Sequence, residues 1–164
     1  MKLENITLVG SATVDPSTSI NNVRLGDNVK IAKRCSVFGS KENVLEIGHD
    51  SYVGMNSILN GYSAKLTIGA HVSIAQNVNI MTDSGPNSSE LLQKIYPIQK
   101  EEIEIGDHCW IGTSAIIMPG VKLGNFCIVA ANSYVNTSFE DYSIIGGTPA
   151  RLIKKIDPSG LKKD

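Results

Sequence analysis

A chain of 164 residues with 41% hydrophobic but only 5% aromatic side chains and 15 glycines has material for one core of small and aliphatic residues, and no length for a second. Lysine plus arginine (15) nearly balances aspartate plus glutamate (16), for a formal charge of −1, which excludes the clustered basic excess of a nucleic-acid binder. No apolar run approaches the ~20 residues that span a bilayer. The opening MKLENITLVGSA, interrupted by Glu4 and Asn5, makes a poor signal peptide, so the expectation is one cytoplasmic domain over residues 1–164.

From Leu25 onward, aliphatic residues recur at every sixth position: Leu25, Ile31, Val37, then Ile47, Val53, Leu59, then Ile68, Ile74, Ile80. After a long interruption the step resumes at Ile105, Ile111, Ile117, Leu123, Val129 and Val135. A small residue follows many of them, and another small or β-branched residue stands two places before. Val29-Lys30-Ile31 and Cys109-Trp110-Ile111 show this in–out–in alternation, the period of a short strand. Three such strands close a triangular coil of about eighteen residues, and stacked coils bury one continuous core. The predicted fold is all-β, a parallel β-helix.

Numbering the strands of each coil as sides one to three sorts the outside of the prism. Side one points Arg24, Glu46, Thr67, Glu104 and Lys122 outward, a solvated face. Sides two and three point out Ile58, Trp110, Ile116, Ile128 and Tyr134, which are costly unless covered. These two sides are expected to form a subunit interface or a ligand wall. All three breaks in the spacing follow side three: Ser40 to Glu46, Gly61 to Thr67, and the long insertion of about residues 83–104. Loops on a rigid scaffold usually carry the chemistry. Within the long one, Asn87 and Glu90 are spaced to cap a short helix from Leu91 to Ile95. After Val135 the period fades, and residues 140–164, including GGTPARLIKKI, read as a tail leaving the prism.

Cys35, Cys109 and Cys127 all fall at the small inward position, which makes them core filling and leaves none for a disulfide or zinc site. His49, His71 and His108 lie at the corner after side one, with His71 and His108 on adjacent coils about 4.8 Å apart. Exposed turn residues are the preferred reading, with an interface role or a base lent to a neighbouring subunit left open; no metal site is assigned.

The stretch IEIGDHCWIGTSAIIMPGVKLGNFCIVAANSYV, with the later GGTPARLIKKI, resembles the hexapeptide-repeat acetyltransferases, in the branch of galactoside, maltose, xenobiotic and polysaccharide O-acetyltransferases. The resemblance covers roughly Leu25 to Ile156. It implies a left-handed coil, a homotrimer with sites between subunits, acetyl-CoA as co-substrate without a required metal, and a carbohydrate acceptor. By that resemblance the pantetheine arm passes Thr113 and Ala131, Trp110 flanks the site, and Arg151 and Lys154 meet the nucleotide end of the cofactor. A cationic pair suits its phosphates.

The resemblance also implies a histidine in the long loop, as the base that takes the proton of the attacking hydroxyl. Gly85 stands at that position, and no histidine occurs in the loop. Three accounts remain open. Asp83 acts as the base, with Asn87 and Tyr96 holding the acceptor; or the acceptor is the amine of an amino sugar; or the chain is an inactive binding or assembly β-helix. For Asp83 the bland alternative is a turn carboxylate bonding its own backbone, and for Tyr96 a packed loop aromatic. Metal binding of the carbonic-anhydrase type is a further, weaker alternative, because it requires three histidines at one interface.

Overall fold

The computed structural model describes residues 3–161, so the first two residues of the expected domain and the last three of the expected tail lie outside the described residues. Short strands stack in parallel into three sheets, one for each side of a triangular prism. Side one runs from Ile6–Leu8 through Val23–Leu25, Leu45–Ile47, Leu66–Ile68 and Ile103–Ile105 to Lys122–Leu123. Side two begins at Thr13–Val14 and reaches Ile128–Val129; side three begins at Ser19–Asn21 and reaches Tyr134–Val135. The six-step residues form the ladder columns. Leu25, Ile47, Ile68, Ile105 and Leu123 pair in register up side one. Ile31, Val53, Ile74, Ile111 and Val129 do so up side two.

These columns are buried, and almost all of the core is valine, isoleucine and leucine. β-branched residues suit a pleated, half-buried surface, and identical spacing keeps each one over its counterpart below. Cys35, Cys109 and Cys127 fill the same interior. Their sulfurs donate to backbone carbonyls: Cys109 to Gly124 (3.1 Å) and Cys127 to Glu140 (3.3 Å). Its hydrogen bond with Cys127 and its burial push the Cys109 thiol far above its ordinary range.

At the corners the backbone turns through left-handed residues. After side two this position is held by Arg34, Asn56, Asn77, Ser114 and Asn132, all with φ between 55° and 60°. Asparagine, three of the five, is among the residues that tolerate this region best. After side one the position passes to His71, His108, Phe126 and Tyr142 (φ 56–61°). Here the rings compensate: His71 stacks on His108 at 4.7 Å, His108 on Phe126 at 4.7 Å, and Phe126 on Tyr142 at 5.1 Å. Stacked pairs of this kind contribute about 0.5–1.5 kcal/mol each.

Three features differ from the sequence expectation. A further coil precedes Leu25: Ile6–Leu8, Thr13–Val14 and Ser19–Asn21 pair with the strands above them. Leu8, Val14 and Ile20 keep the step of six, but the step from Ile20 to Leu25 is five, which breaks the run. The tail does not leave the prism either. Ser143–Gly147 continues side two in parallel with Ile128–Val129, and Ala150–Lys155 turns back antiparallel along it. Ile145 supplies the next core residue of the column, so burying it holds this segment on the sheet. The loop helix, finally, is Glu90–Gln93 and is capped by Ser89, whose Oγ accepts from Leu92 N–H at 3.1 Å. Asn87 is not the cap, because its own N–H donates to Gly85 O (3.0 Å) in a preceding turn.

Candidate active site

The long insertion leaves and rejoins the prism without disturbing its register, since Ile68 still pairs with Ile105 across it. Its base is a small antiparallel ladder, Asp83–Ser84 against Gln99–Lys100. Asp83 sits at the first rung, partly buried, at the corner after side three. Its carboxylate does not bond its own backbone. Asn60 Nδ2 donates to Oδ1 at 3.4 Å, and the Ser63 hydroxyl donates to Oδ2. Asn60 stands near the end of the side-three strand Ile58–Gly61 one coil below, and Ser63 lies in the short insertion that follows it. That insertion is tied to the long one through Thr82, whose buried hydroxyl donates to Asn60 O (3.2 Å) and accepts from Ala64 N–H (3.3 Å).

Ser63 and Asn60 are therefore site residues that sequence reasoning missed. The signal for them was present: two insertions leave the same corner on adjacent coils, so their bases must be neighbours. Asn87 and Tyr96 lie further out on the loop and are exposed. Neither is close-packed, which removes the packed-aromatic reading of Tyr96 within a single chain; its ring is 60% exposed.

Gly85 has a local physical explanation. A Cβ built on it would stand 2.7 Å from Ile98 Cα and 3.0 Å from Ile98 Cγ1. The returning limb of the loop thus closes over position 85, and a histidine there meets backbone rather than a cleft. Position 85 therefore supplies no proton acceptor to this loop.

The residues matched to a cofactor lie elsewhere. Thr113 and Ala131 stand on successive coils at the corner after side two, where Asn132 N–H donates to Thr113 O at 2.9 Å. A Cβ on Gly112 would come within 2.6 Å of Ala131 N, so this corner is flat and admits no bulk of its own. The Thr113 hydroxyl is used between coils, donating to Gln76 O at 2.9 Å. Trp110, 54% exposed, occupies the outward row of side two, which runs Trp110, Ile128, Ile144, Lys154 across four strands. Arg151 pairs with Gly146 on the returning strand, exposed, with its Nη1 donating to Ala150 O (2.9 Å).

The structure thus gathers Trp110, Thr113, Ala131, Arg151 and Lys154 along one edge of side two. It does not bring Asp83 to them. The corner after side two and the corner after side three are opposite edges of side three, separated by about 15 Å of strand. Apolar side chains still point outward on the intervening faces: Tyr52, Ile58 and Trp110 are exposed, while Ile116, Ile128 and Tyr134 are half-buried. Among the described residues no helix is long and apolar enough to cross a membrane.

Comparison with known proteins gives the same architecture a family. Residues 102–137 match the bacterial transferase hexapeptide (six repeats) profile. Galactoside O-acetyltransferase of Escherichia coli (strain K12) is 32% identical over 122 residues, covering 74% of this chain and 59% of that protein. WcaF of the same organism, assigned as an acetyltransferase of colanic acid biosynthesis, is 32% identical over 133 residues, covering 80% of this chain and 69% of its own. The chain spans about three fifths of the length of the galactoside relatives it matches. A hexapeptide-repeat acetyltransferase from Vibrio cholerae, solved with acetyl coenzyme A, superposes with a TM-score of 0.65 at 26% identity, over 92% of this chain and 71% of that one. AntD, an N-acyltransferase from Bacillus cereus, shares the fold with a TM-score of 0.79 at 23% identity, over 94% of this chain and 85% of that one. The coiled prism and the sequence kinship over most of the length agree, and the chain belongs to the hexapeptide-repeat acetyltransferase family.

Proposed function

We propose that this protein transfers an acetyl group, or another short acyl group, from a coenzyme A thioester to a hydroxyl of a sugar or polysaccharide precursor. One observation carries the reading: a flat, small-residue corner at Thr113 and Ala131 that ends at the cationic pair Arg151 and Lys154. A slender thiol arm needs close backbone approach along its length and positive charge at its phosphate end. The relatives named for galactoside and colanic acid acetylation supply the carbohydrate class of acceptor.

The reaction in this reading is direct. The acceptor oxygen attacks the thioester carbonyl, Asp83 takes the hydroxyl proton, and the C–S bond breaks to release the thiolate, which recovers a proton from Asp83. All three cysteines are core residues, so this reading assigns none of them as an acyl-enzyme nucleophile. Asn60 and Ser63 orient the carboxylate, and Asn87 and Tyr96 reach toward the acceptor. Since Asp83 and the cofactor edge stand on opposite borders of side three, one chain holds only half of this site. The loop of one subunit completes the corner of the next in a homotrimer, and the exposed Tyr52, Ile58 and Trp110 are the apolar surface such an assembly covers.

A second reading, N-acylation of an amino sugar, has its own support. Position 85 is closed by Ile98, and an amine, once deprotonated, is nucleophilic enough to tolerate a weaker base than a hydroxyl needs. Calorimetric titration with acetyl-CoA, followed by a thiol-release assay over a panel of sugars and amino sugars, tests both. Binding with turnover on hydroxyl acceptors supports the first reading, and turnover on amino sugars alone supports the second. Absence of acetyl-CoA binding at millimolar ligand overturns the cofactor assignment and with it the transferase.

A further inference from the structure

The corner after side one carries a group that acyl transfer does not use. His49 and Asp50 lie at one coil and His71 at the next, and one ligand atom from each falls within 4.8 Å of the other two. All three are exposed. The geometry points to a divalent-cation site here, of the borderline class represented by zinc, with two imidazoles and one carboxylate as ligands and solvent completing the shell.

The donor set suits that class of ion. Imidazole and carboxylate together select zinc and its neighbours, whereas calcium and magnesium prefer shells of oxygen alone. Nδ1 of His49 and Oδ2 of Asp50 are 2.8 Å apart. An ion seated between them, at ligand bonds of about 2.0–2.2 Å, takes its third ligand from His71, whose ring nitrogen lies within 4.8 Å of both.

The ligands are also held from behind, which distinguishes this cluster from histidines scattered on a surface. Asn28, on the coil below, donates its Nδ2 to Oδ1 of Asp50 at 2.7 Å and leaves Oδ2 for the ion. His71 is fixed in orientation by His108, stacked on it at an interplanar angle of 5°, with Phe126 and Tyr142 continuing the stack. Partners that orient metal ligands in this way raise affinity by about 10–100-fold. Because the ligands come from two coils, the cation clips one coil to the next.

The test uses the full chain freed of metal by chelator, titrated with ZnCl2 by calorimetry and followed by thermal unfolding. The expected result is one zinc per chain, with Tm raised by about 5–10 °C once free zinc stands roughly 100-fold above Kd. MgCl2 gives no shift. His49→Ala and His71→Asn abolish the shift; asparagine is chosen because residue 71 lies at φ 56°, where it is well tolerated. His108→Phe preserves the stack and keeps zinc binding. The proposal is overturned by absence of zinc uptake, by equal stabilisation with magnesium, by uptake undiminished in both ligand variants, or by loss of binding in His108→Phe. Unfolding of each variant without zinc separates loss of fold from loss of ligand, and a ligand variant that unfolds is replaced by Asp50→Asn, which must weaken binding.

Discussion

At the scale of single residues, the role proposed for the loop rests on the oxygens of Asp83. They face two donors from the coil below, Asn60 near the end of its side-three strand and Ser63 in the insertion that follows. If Asp83 is the base, Asp83→Asn keeps the shape and both partners but removes proton acceptance. Turnover then falls by about 10²–10⁴-fold with acetyl-CoA affinity unchanged, measured by thiol release and calorimetry. Ser63→Ala leaves the carboxylate but frees one oxygen. It acts by positioning, and its signature is a smaller loss of kcat than in Asp83→Asn, with KM unchanged and activity restored in Ser63→Thr. At position 85 the same physics runs the other way. Gly85→His forces a side chain against Ile98 Cα, and overpacking of this kind costs about 1–3 kcal/mol. Thermal denaturation of that variant shows a lower Tm, and its turnover does not rise.

At the scale of elements, the coils are joined by ladders within and by carboxylate caps at the corners. Asp27 accepts from both the N–H and the hydroxyl of Ser11, at 2.8 and 3.0 Å, and so ties the first coil to the second. These bonds, the backbone one first, lower the Asp27 pKa from its ordinary value. Asp15 is lowered in the same way by Ser17. A carboxyl whose folded pKa is depressed contributes stability that is present above the unfolded pKa, about 3.9. That stability is lost as pH falls through the folded value. Hydrogen exchange between pH 6 and 3 is therefore expected to show residues 6–21 losing protection before the central coils. Asp27→Asn shows that loss already at neutral pH. The central columns respond differently, because their stability is apolar. Ile111 is fully buried in the side-two column, and Ile111→Ala costs about 2–5 kcal/mol at any pH, read from denaturant midpoints.

At the scale of the whole molecule, the candidate residues lie on opposite edges of side three, and the proposed site requires a neighbouring subunit to join them. A functional trimer has a mass of three times 17.6 kDa, which light scattering after size exclusion checks directly; a monomer that turns over substrate would overturn the shared site. The fold itself was legible in the chain because a period of six is local. Each aliphatic residue needs only its neighbours two and six places away to declare a strand and a turn, and the cysteines follow from the same register. The first coil and the returning tail were missed where that period slips, after Ile20 and after Val135, although Leu8, Val14 and Ile20 pair with Leu25, Ile31 and Val37, and Ile145 with Val129. What only the tertiary structure decided is everything that depends on stacking across distant sequence: Ser63 against Asp83 at a separation of 20 residues, Ile98 closing over Gly85, and four rings in one column. Spacing along a strand constrains which way a side chain faces. Which insertion meets which is set by the coils lying between them, and no local pattern carries that information.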